Sequence, residues 1–576
     1  MRSWSRRRTV VTVVAGLLVV WLIGVGWALL GARSHADAGA AELRSVRQRA
    51  TIAALTAPSS RADLGEAQHD FDAAAARLDS PVLWPLRVVP VVSRHLRAAD
   101  KLVTSAQDGS QAADDALRDL IALTKRSQAA GPQRVTTLRD LAAVAGRAHH
   151  ALDAIDPGSP DALIGPLADA VSEMDAQRDD ARQAAAGLQA TSTALAGVLE
   201  GPDPYLLLGA NNAEMRNGAG MFLSASEVRF DHGSMSLGDV RPTADLVLPK
   251  GSITATGELA ANWPWLNPAR DLRNLGLSAD FPQSAALGVQ NWARVDGGGP
   301  VAGTIVIDVD GIRSLLRVVG PVEVDGVRYT PDTVRGELLR RQYQRFDGDR
   351  DGRRDQLGAV ARAIFERLEA GRWKLTDLAT ELTDAVQGRH LMVWSADPKV
   401  NAAWHHAGAD GHLTDRSVSV ALLNRSASKL DSWVDTAAAI STEAAGGGRR
   451  RITIVYDIDN RAPATGPQYQ VGPNIDGIAA GDHRALAVVN LPAGSTEVAM
   501  DGAEVFLRGG DGPTVVIGGD LTVKRGTRAR ITVTALLPAG LDEITLEPSA
   551  RIKPTAWAVE GEPLRTDRRR TVHLGG

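Results

Sequence analysis

Residues 340–356 (RRQYQRFDGDRDGRRDQ) gather six arginines and four aspartates in seventeen positions. Guanidinium forks bind phosphate and carboxylate bidentately, and neighbouring carboxylates can hold a divalent cation against the same phosphates. The run is therefore a candidate phosphate-binding site. A mixed charge run can equally pair with itself in water, and composition alone leaves that alternative open. Within the run, Asp347, Asp349, Asp351 and Gly352 fall at positions 1, 3, 5 and 6 of a calcium-binding EF-hand loop, and Asp355 falls at position 9. Position 12 should be a bidentate acid and is Gly358. The match is half a motif, and Mg²⁺ or Ca²⁺ is the cofactor it would take.

A second chemical segment is 208–220 (LGANNAEMRNGAG), with Asn211, Asn212, Glu214 and Arg216. It follows an apolar run, 205–208 (YLLL), that reads as a buried strand closed by Gly209. Open α/β sheets gather ligands at the C-terminal ends of their strands, and glycines let a backbone approach closely. Asn and Gly also favour plain turns, so a turn is the competing reading. The segment lacks the Gly-Lys-Ser/Thr ending of a P-loop. Histidines are few: His405-His406 and His412 lie near Asp410 and Asp415 in spacings that fit no metal template, and His149-His150 falls in a helical region. G-x-S-x-G and H-E-x-x-H are absent. With no cysteine there are no disulfides, no cysteine catalysis and no thiolate metal site.

Three kinds of element surround these residues. Arg2, Arg6, Arg7 and Arg8 precede an uncharged apolar run, 9–30, and Arg33 follows it. The run is about 22 residues, or roughly 33 Å of helix, enough to cross a bilayer. The arginine bias puts the N-terminus in the cytoplasm, so the expected protein is single-pass in the cell membrane, with tail 1–8, span 9–31 and the rest extracytoplasmic. A cleaved signal peptide ending near Ala36-Asp37-Ala38 is the alternative; its apolar core would normally be shorter. Residues 32–200 are rich in alanine with apolar positions at helical spacing, and read as a helical stalk or bundle broken at 81–86, 131–132 and 156–158. The apolar stretch 82–92 is too short to span and reads as a bundle loop or a membrane-surface contact. Strands and helices alternate over 201–440, an α/β domain. The glycines at 446–448 mark a break, and 450–576 carries short β-rich runs at about ten-residue intervals, a β-sandwich-like pattern. The chain is thus expected to be multidomain. Apolar content of 44% is that of a folded protein, and a net charge of −4 gives no reason to expect nucleic acid.

Residues 205–220 (YLLLGANNAEMRNGAG), the strand and turn at 301–324 ending Val319-Gly320-Pro321-Val322-Glu323-Val324, the helix with Arg354-Asp355-Gln356, and 391–398 (LMVWSADP) resemble the bacterial membrane-anchored family called domain of unknown function 4012, over about 204–433. The same order of motifs is similar, more distantly, to LytR-CpsA-Psr proteins. These outward-facing envelope proteins transfer glycopolymer from a polyprenyl-pyrophosphate carrier to the cell wall. That resemblance implies Arg216 and Arg241 as early phosphate arginines, Arg341, Arg345 and Arg354 as a late cluster beside Gln356, and Asp351 as a nearby acid. Asn211 stands where that family has an aspartate, and Arg216-Asn217-Gly218 replaces Arg-x-Asp, so two carboxylates for metal-assisted transfer are missing. The expected function is a membrane-anchored envelope protein that binds or scaffolds glycopolymers or lipid-linked phosphates through an arginine-rich site. The alternative is a phosphotransferase of the LytR-CpsA-Psr kind.

Overall fold

The computed structural model describes the backbone of all residues except 1, 48, 50–51, 347–348 and 576, and of these the side chains except those of 2–18, 52–53, 350–351 and 354–355. It divides into two units, residues 1–126 with 136–193, and residues 127–135 with 194–576.

The first unit is helical: α1 (Arg2–Arg47), α2 (Pro58–Leu78), α3 (Pro90–Thr124), α4 (Pro132–Asp153) and α5 (Gly165–Glu200), the start of α4 and the end of α5 belonging to the second unit. Proline begins α2 and α3, where its missing N–H costs nothing. Pro81 and Pro85 keep the intervening turn Pro81–Val88 in 3₁₀ form. Small residues let the helices meet closely: Ala28 packs with Leu83 and Leu96, and Ala32 with Ala74, Leu78 and Val103. Gly39 permits one such approach, since a Cβ there would lie 2.8 Å from the Phe71 ring. The described part of α1, Val19–Arg47, is long and apolar enough to cross a membrane and is mostly exposed.

The second unit begins with a mixed sheet of β1 (Tyr205–Met215), β2 (Gly220–Asp231), β3 (Ser234–Leu237), β4 (Gly303–Ile307) and β5 (Leu391–Ser395), in the order β3-β2-β1-β4-β5. β1 and β4 are parallel, and the other neighbours are antiparallel. Around it lie α6 (Phe281–Trp292), α7 (Val309–Val319), α8 (Arg350–Glu369), α9 (Leu375–Gln387) and α10 (Pro398–His406). A helical stretch at 334–345 carries a π-turn over Glu337–Arg341. The central α/β region is therefore present, with one correction. β1 does not end at Gly209 but continues through the polar residues to Met215, with register shifts after Gly209 and after Asn211. Those polar side chains find buried partners, so the backbone stays in the sheet.

The C-terminal part is rich in strands: β6 (Ser417–Asn424), β7 (Val434–Gly446), β8 (Arg449–Asn460), β9 (His483–Leu491), β10 (Thr496–Asp501), β11 (Glu504–Asp511), β12 (Thr514–Val523), β13 (Arg528–Leu536), β14 (Glu543–Glu547), β15 (Ala556–Val559) and β16 (Arg570–His573). One sheet runs β10-β13-β8-β7-β15, the other β11-β12-β9-β6-β14-β16. The expected break at 446–448 falls inside this strand-rich part. The glycines at 446–448 form the turn of the β7–β8 hairpin, and β6 and β7 lie before it. The reason is visible in β9, which is buried on both faces. Ala485, Ala487 and Val489 enter the core shared with Ile454, Tyr456 and Ile531 of the other sheet. Leu486 and Val488, pointing the opposite way, enter the α/β core with Leu206, Phe222 and Trp263. A sheet used on both sides welds the two regions into one unit.

Candidate functional site

β4 ends at Ile307 opposite Gly209, partway along its parallel neighbour β1, and the polar residues just beyond that point are linked. β4 stops at Ile307, and Asp308 caps α7 by accepting hydrogen bonds from the N–H groups of Asp310 (2.8 Å) and Gly311 (3.0 Å). Gly311 is required at this turn, because a Cβ would stand 2.7 Å from the carbonyl oxygen of His390. The second oxygen of Asp308 accepts from Asn212 Nδ2 (2.6 Å) and meets His390 Nδ1 (2.7 Å). Asn212, Asp308 and His390 thus form a chain that runs from the buried end of β1 outward.

His390 emerges on a cleft of about 470 Å³ lined by five arginines and three aspartates. Burial pulls the imidazole pKa down, but the carboxylates of Asp308 and Asp310 outweigh it and hold the value above the ordinary histidine range. Three of the arginines are committed. Arg335 grips Asp310 with two nitrogens, Arg568 grips Asp384 (2.7 and 2.9 Å), and Arg317 meets Glu381 (3.1 Å). Asp567 is occupied by Trp557 Nε1 (2.7 Å) and the Thr555 N–H (2.8 Å), and burial raises its pKa. Arg313 donates only to the carbonyl of Pro331 (3.0 Å), and burial and the neighbouring Arg335 and Arg317 lower its pKa. Among the described residues neither Arg313 nor Arg565 has a carboxylate partner. The cleft therefore keeps a surplus of positive charge on two guanidinium groups, the state an anionic ligand would relieve.

The residues expected from sequence lie elsewhere, mostly with protein partners. Asn211 donates to the Tyr343 hydroxyl (3.1 Å) and accepts from the Ala213 N–H (2.9 Å). Glu214 pairs with the fully buried Lys429 (3.0 Å), whose ammonium lies over Tyr343 (4.8 Å) and Tyr469 (5.1 Å). Arg216 is buried beside them and donates to the carbonyls of Asn424 (3.0 Å) and Met215 (3.3 Å); burial pushes its pKa down to about 10. Arg341 (2.7 Å) and Arg345 (2.9 Å) share the carboxylate of Glu337, and Arg345 also reaches the buried Gln356 (3.3 Å). Arg241 donates to the carbonyl of Asp296 (2.6 Å) and faces Trp292. Asp349 caps α8 through the Gly352 N–H (2.9 Å). Asp347 and the side chains of Asp351 and Arg354 lie outside the described residues. The structure thus joins Arg341, Arg345 and Gln356 around Glu337, and Asn211 to the Glu214–Lys429 pair through Tyr343. Arg216 and Arg241 have separate partners. Of the expected ligand residues, only Asn212 leads to the cleft.

Two of the cleft residues, Asp310 and Arg313, had a signal in the sequence. Residues 301–309 (VAGTIVIDV) read as a strand running into a helix at Asp310, the same strand-end position that drew attention to 208–220. Among the described residues, His405, Asp410 and His412 form a separate group whose ligand atoms lie within 4.8 Å of one another, a donor set that could hold a transition metal. There Arg569 stands 3.3 Å from His412 Nε2, placing a cation at the outer edge of that group.

Searches of curated proteins and of solved structures each returned no match. In a comparison with protein families, residues 200–343 match the family described as "Protein of unknown function (DUF4012)", consistent with the resemblance carried by residues 205–220, and the span includes Asn212, Asp308, Arg313 and Arg335.

Proposed function

We propose that the chain is a membrane-anchored, extracytoplasmic envelope protein whose central region binds a polyanion, the phosphates of a glycopolymer or of a polyprenyl-linked carrier, in the cleft between α7, α9 and the C-terminal strands. The observation that carries this reading is the pair of uncommitted guanidiniums, Arg313 and Arg565, in a cleft whose other charges are already paired. The arginine-flanked apolar run at 9–30 supports an anchor with the N-terminus inside, and the sandwich-like C-terminal sheets suit presentation of a site.

The LytR-CpsA-Psr-like alternative draws on one feature, the imidazole of His390 oriented by Asp308 in the cleft. Its pKa is raised by Asp308 and Asp310, which favours the protonated form and suits holding an anion better than removing a proton. The test is binding of a fluorescent polyprenyl pyrophosphate analogue to the full chain in nanodiscs, with and without Mg²⁺. The binder reading expects affinity that is indifferent to Mg²⁺ and falls at least tenfold in Arg313→Ala/Arg565→Ala. Unchanged affinity in that variant would refute it. Turnover onto a peptidoglycan acceptor, lost in His390→Gln with binding kept, would establish transfer instead.

A further inference from the structure

Residues 81–92 (PVLWPLRVVPVV) contain a single charged side chain, Arg87. They form the 3₁₀ turn and the first residues of α3, at the tip of the α2–α3 hairpin. The tip exposes Trp84 (63%), Val88 (82%), Val89 (42%) and Val91 (67%). So dense an apolar surface on a short turn marks a contact with something other than water.

The tip does not project freely but is laid along α1. Trp21 Nε1 donates to the Val82 carbonyl (2.9 Å), a Cβ on Gly24 would touch Val82 at 3.3 Å, and Ala28 packs against Leu83. The turn is therefore level with residues 21–28 of α1, inside the apolar run 9–30. That part of α1 is itself exposed at Val20 (68%), Ile23 (66%), Trp27 (67%) and Leu30 (70%), so helix and tip present one apolar surface.

We propose that the tip 81–92 is inserted in the outer leaflet of the bilayer beside the anchor, giving the chain a second membrane contact whose partner is lipid. The proposal rests on the reading of α1 as a membrane anchor. From Gly31, at the outer end of the apolar run, to Trp21 is ten residues, about 15 Å of helix, or half of a hydrocarbon core of roughly 30 Å. Charge placement agrees. Arg87 is drawn back to Asp100 (2.6 Å), Asp79 (3.5 Å) and the Leu78 carbonyl (3.0 Å). Arg77 lies 3.8 Å over the Trp27 ring, the arginine and tryptophan pairing of a membrane–water interface. The backbone is prepared for a dry setting: three prolines lack N–H groups, and the Leu83 and Val89 amides bond within the turn to Ser80 (2.9 Å) and Leu86 (3.1 Å).

Because the chain has no native cysteine, single labels are unambiguous. Full-length Trp84→Cys, Val88→Cys, Leu22→Cys and Asp115→Cys variants, each carrying an environment-sensitive fluorophore, are reconstituted into phosphatidylcholine vesicles. They are quenched by iodide from water or by doxyl groups on the acyl chains. The expected result is that probes at 84, 88 and 22 are quenched by doxyl lipid and at least fivefold less by iodide than the probe at 115. Iodide quenching at 84 and 88 with lipid quenching at 22 would overturn the inserted tip and leave the anchor standing. Iodide quenching at 22 as well would overturn both. Protection at 84 and 88 from both quenchers would mean that protein, such as a second copy, covers the tip, and would also overturn the proposal.

Discussion

Lys429→Met removes the cation that pairs with a buried carboxylate. The ammonium lies 3.0 Å from a Glu214 oxygen, the two side chains are 0% and 7% exposed, and two tyrosine rings enclose the cation. Burial alone would lower the lysine pKa, but Glu214 and the tyrosines outweigh it and raise it, so the ammonium keeps its charge. Taking away one member of a buried pair strands the other, at a cost of about 3–5 kcal/mol. Loss of the cation–π contacts adds about 1 kcal/mol. Replacing both, as Glu214→Leu/Lys429→Met, removes the stranded charge, and the net cost should fall to about 1–2 kcal/mol. The assay is urea denaturation of the full chain and its variants in one detergent, followed by tryptophan fluorescence and read as midpoint shifts at constant slope. A single variant costing under about 1 kcal/mol would show that water reaches Glu214. A double variant as unstable as the single would show that packing, not charge, sets the cost. Either result would refute the reasoning.

Three further outcomes are expected. Because the folded-state pKa of His390 is raised, its contribution to stability is complete below the unfolded value of about 6.5 and is lost as pH rises through the folded value. His390→Gln should therefore flatten the decline of the denaturation midpoint above pH 6.5. Gly311→Ala forces a Cβ to 2.6 Å from Ile307 and 2.7 Å from the His390 carbonyl, and should cost about 1–3 kcal/mol by thermal denaturation while weakening anion binding. Arg341→Ala and Arg345→Ala should leave analogue affinity within about twofold of wild type in a fluorescence titration, because both guanidiniums are already held by Glu337.

What the sequence disclosed followed how local each determinant is. The strand at 205–208 and the alternating pattern of 452–458 were legible because one or both faces are uniformly apolar. The rest of β1 was not, since Asn211, Asn212 and Glu214 look like turn residues until their partners are known. The two partners of Asn212 lie 96 and 338 residues away. The arginine run at 340–356 drew attention by density, yet density is what lets Arg341 and Arg345 share Glu337 only a few residues off. The cleft instead draws Arg313 and Arg565 from distant parts of the chain, and no window of sequence contains both. β6 was hidden for a related reason: buried on both faces, it has no alternation to mark it as a strand of a new sheet.

The last strands bear on how the chain is made. β6 and β7 pair in parallel with β14 and β15, strands synthesised a hundred residues later, and Ala550 and Arg551 close onto Asn212 and Asp431. The core around β1 must therefore wait, open and apolar, until residues near 550 have been made. Such long-range closure is slow and leaves the nascent chain exposed to aggregation and proteolysis. A ribosome that stops short of 550 releases a chain without a finished core, so a truncation before residue 547 should behave in the cell like loss of the whole protein. Residues 543–559 thus serve as a completion check on the strands translated before them.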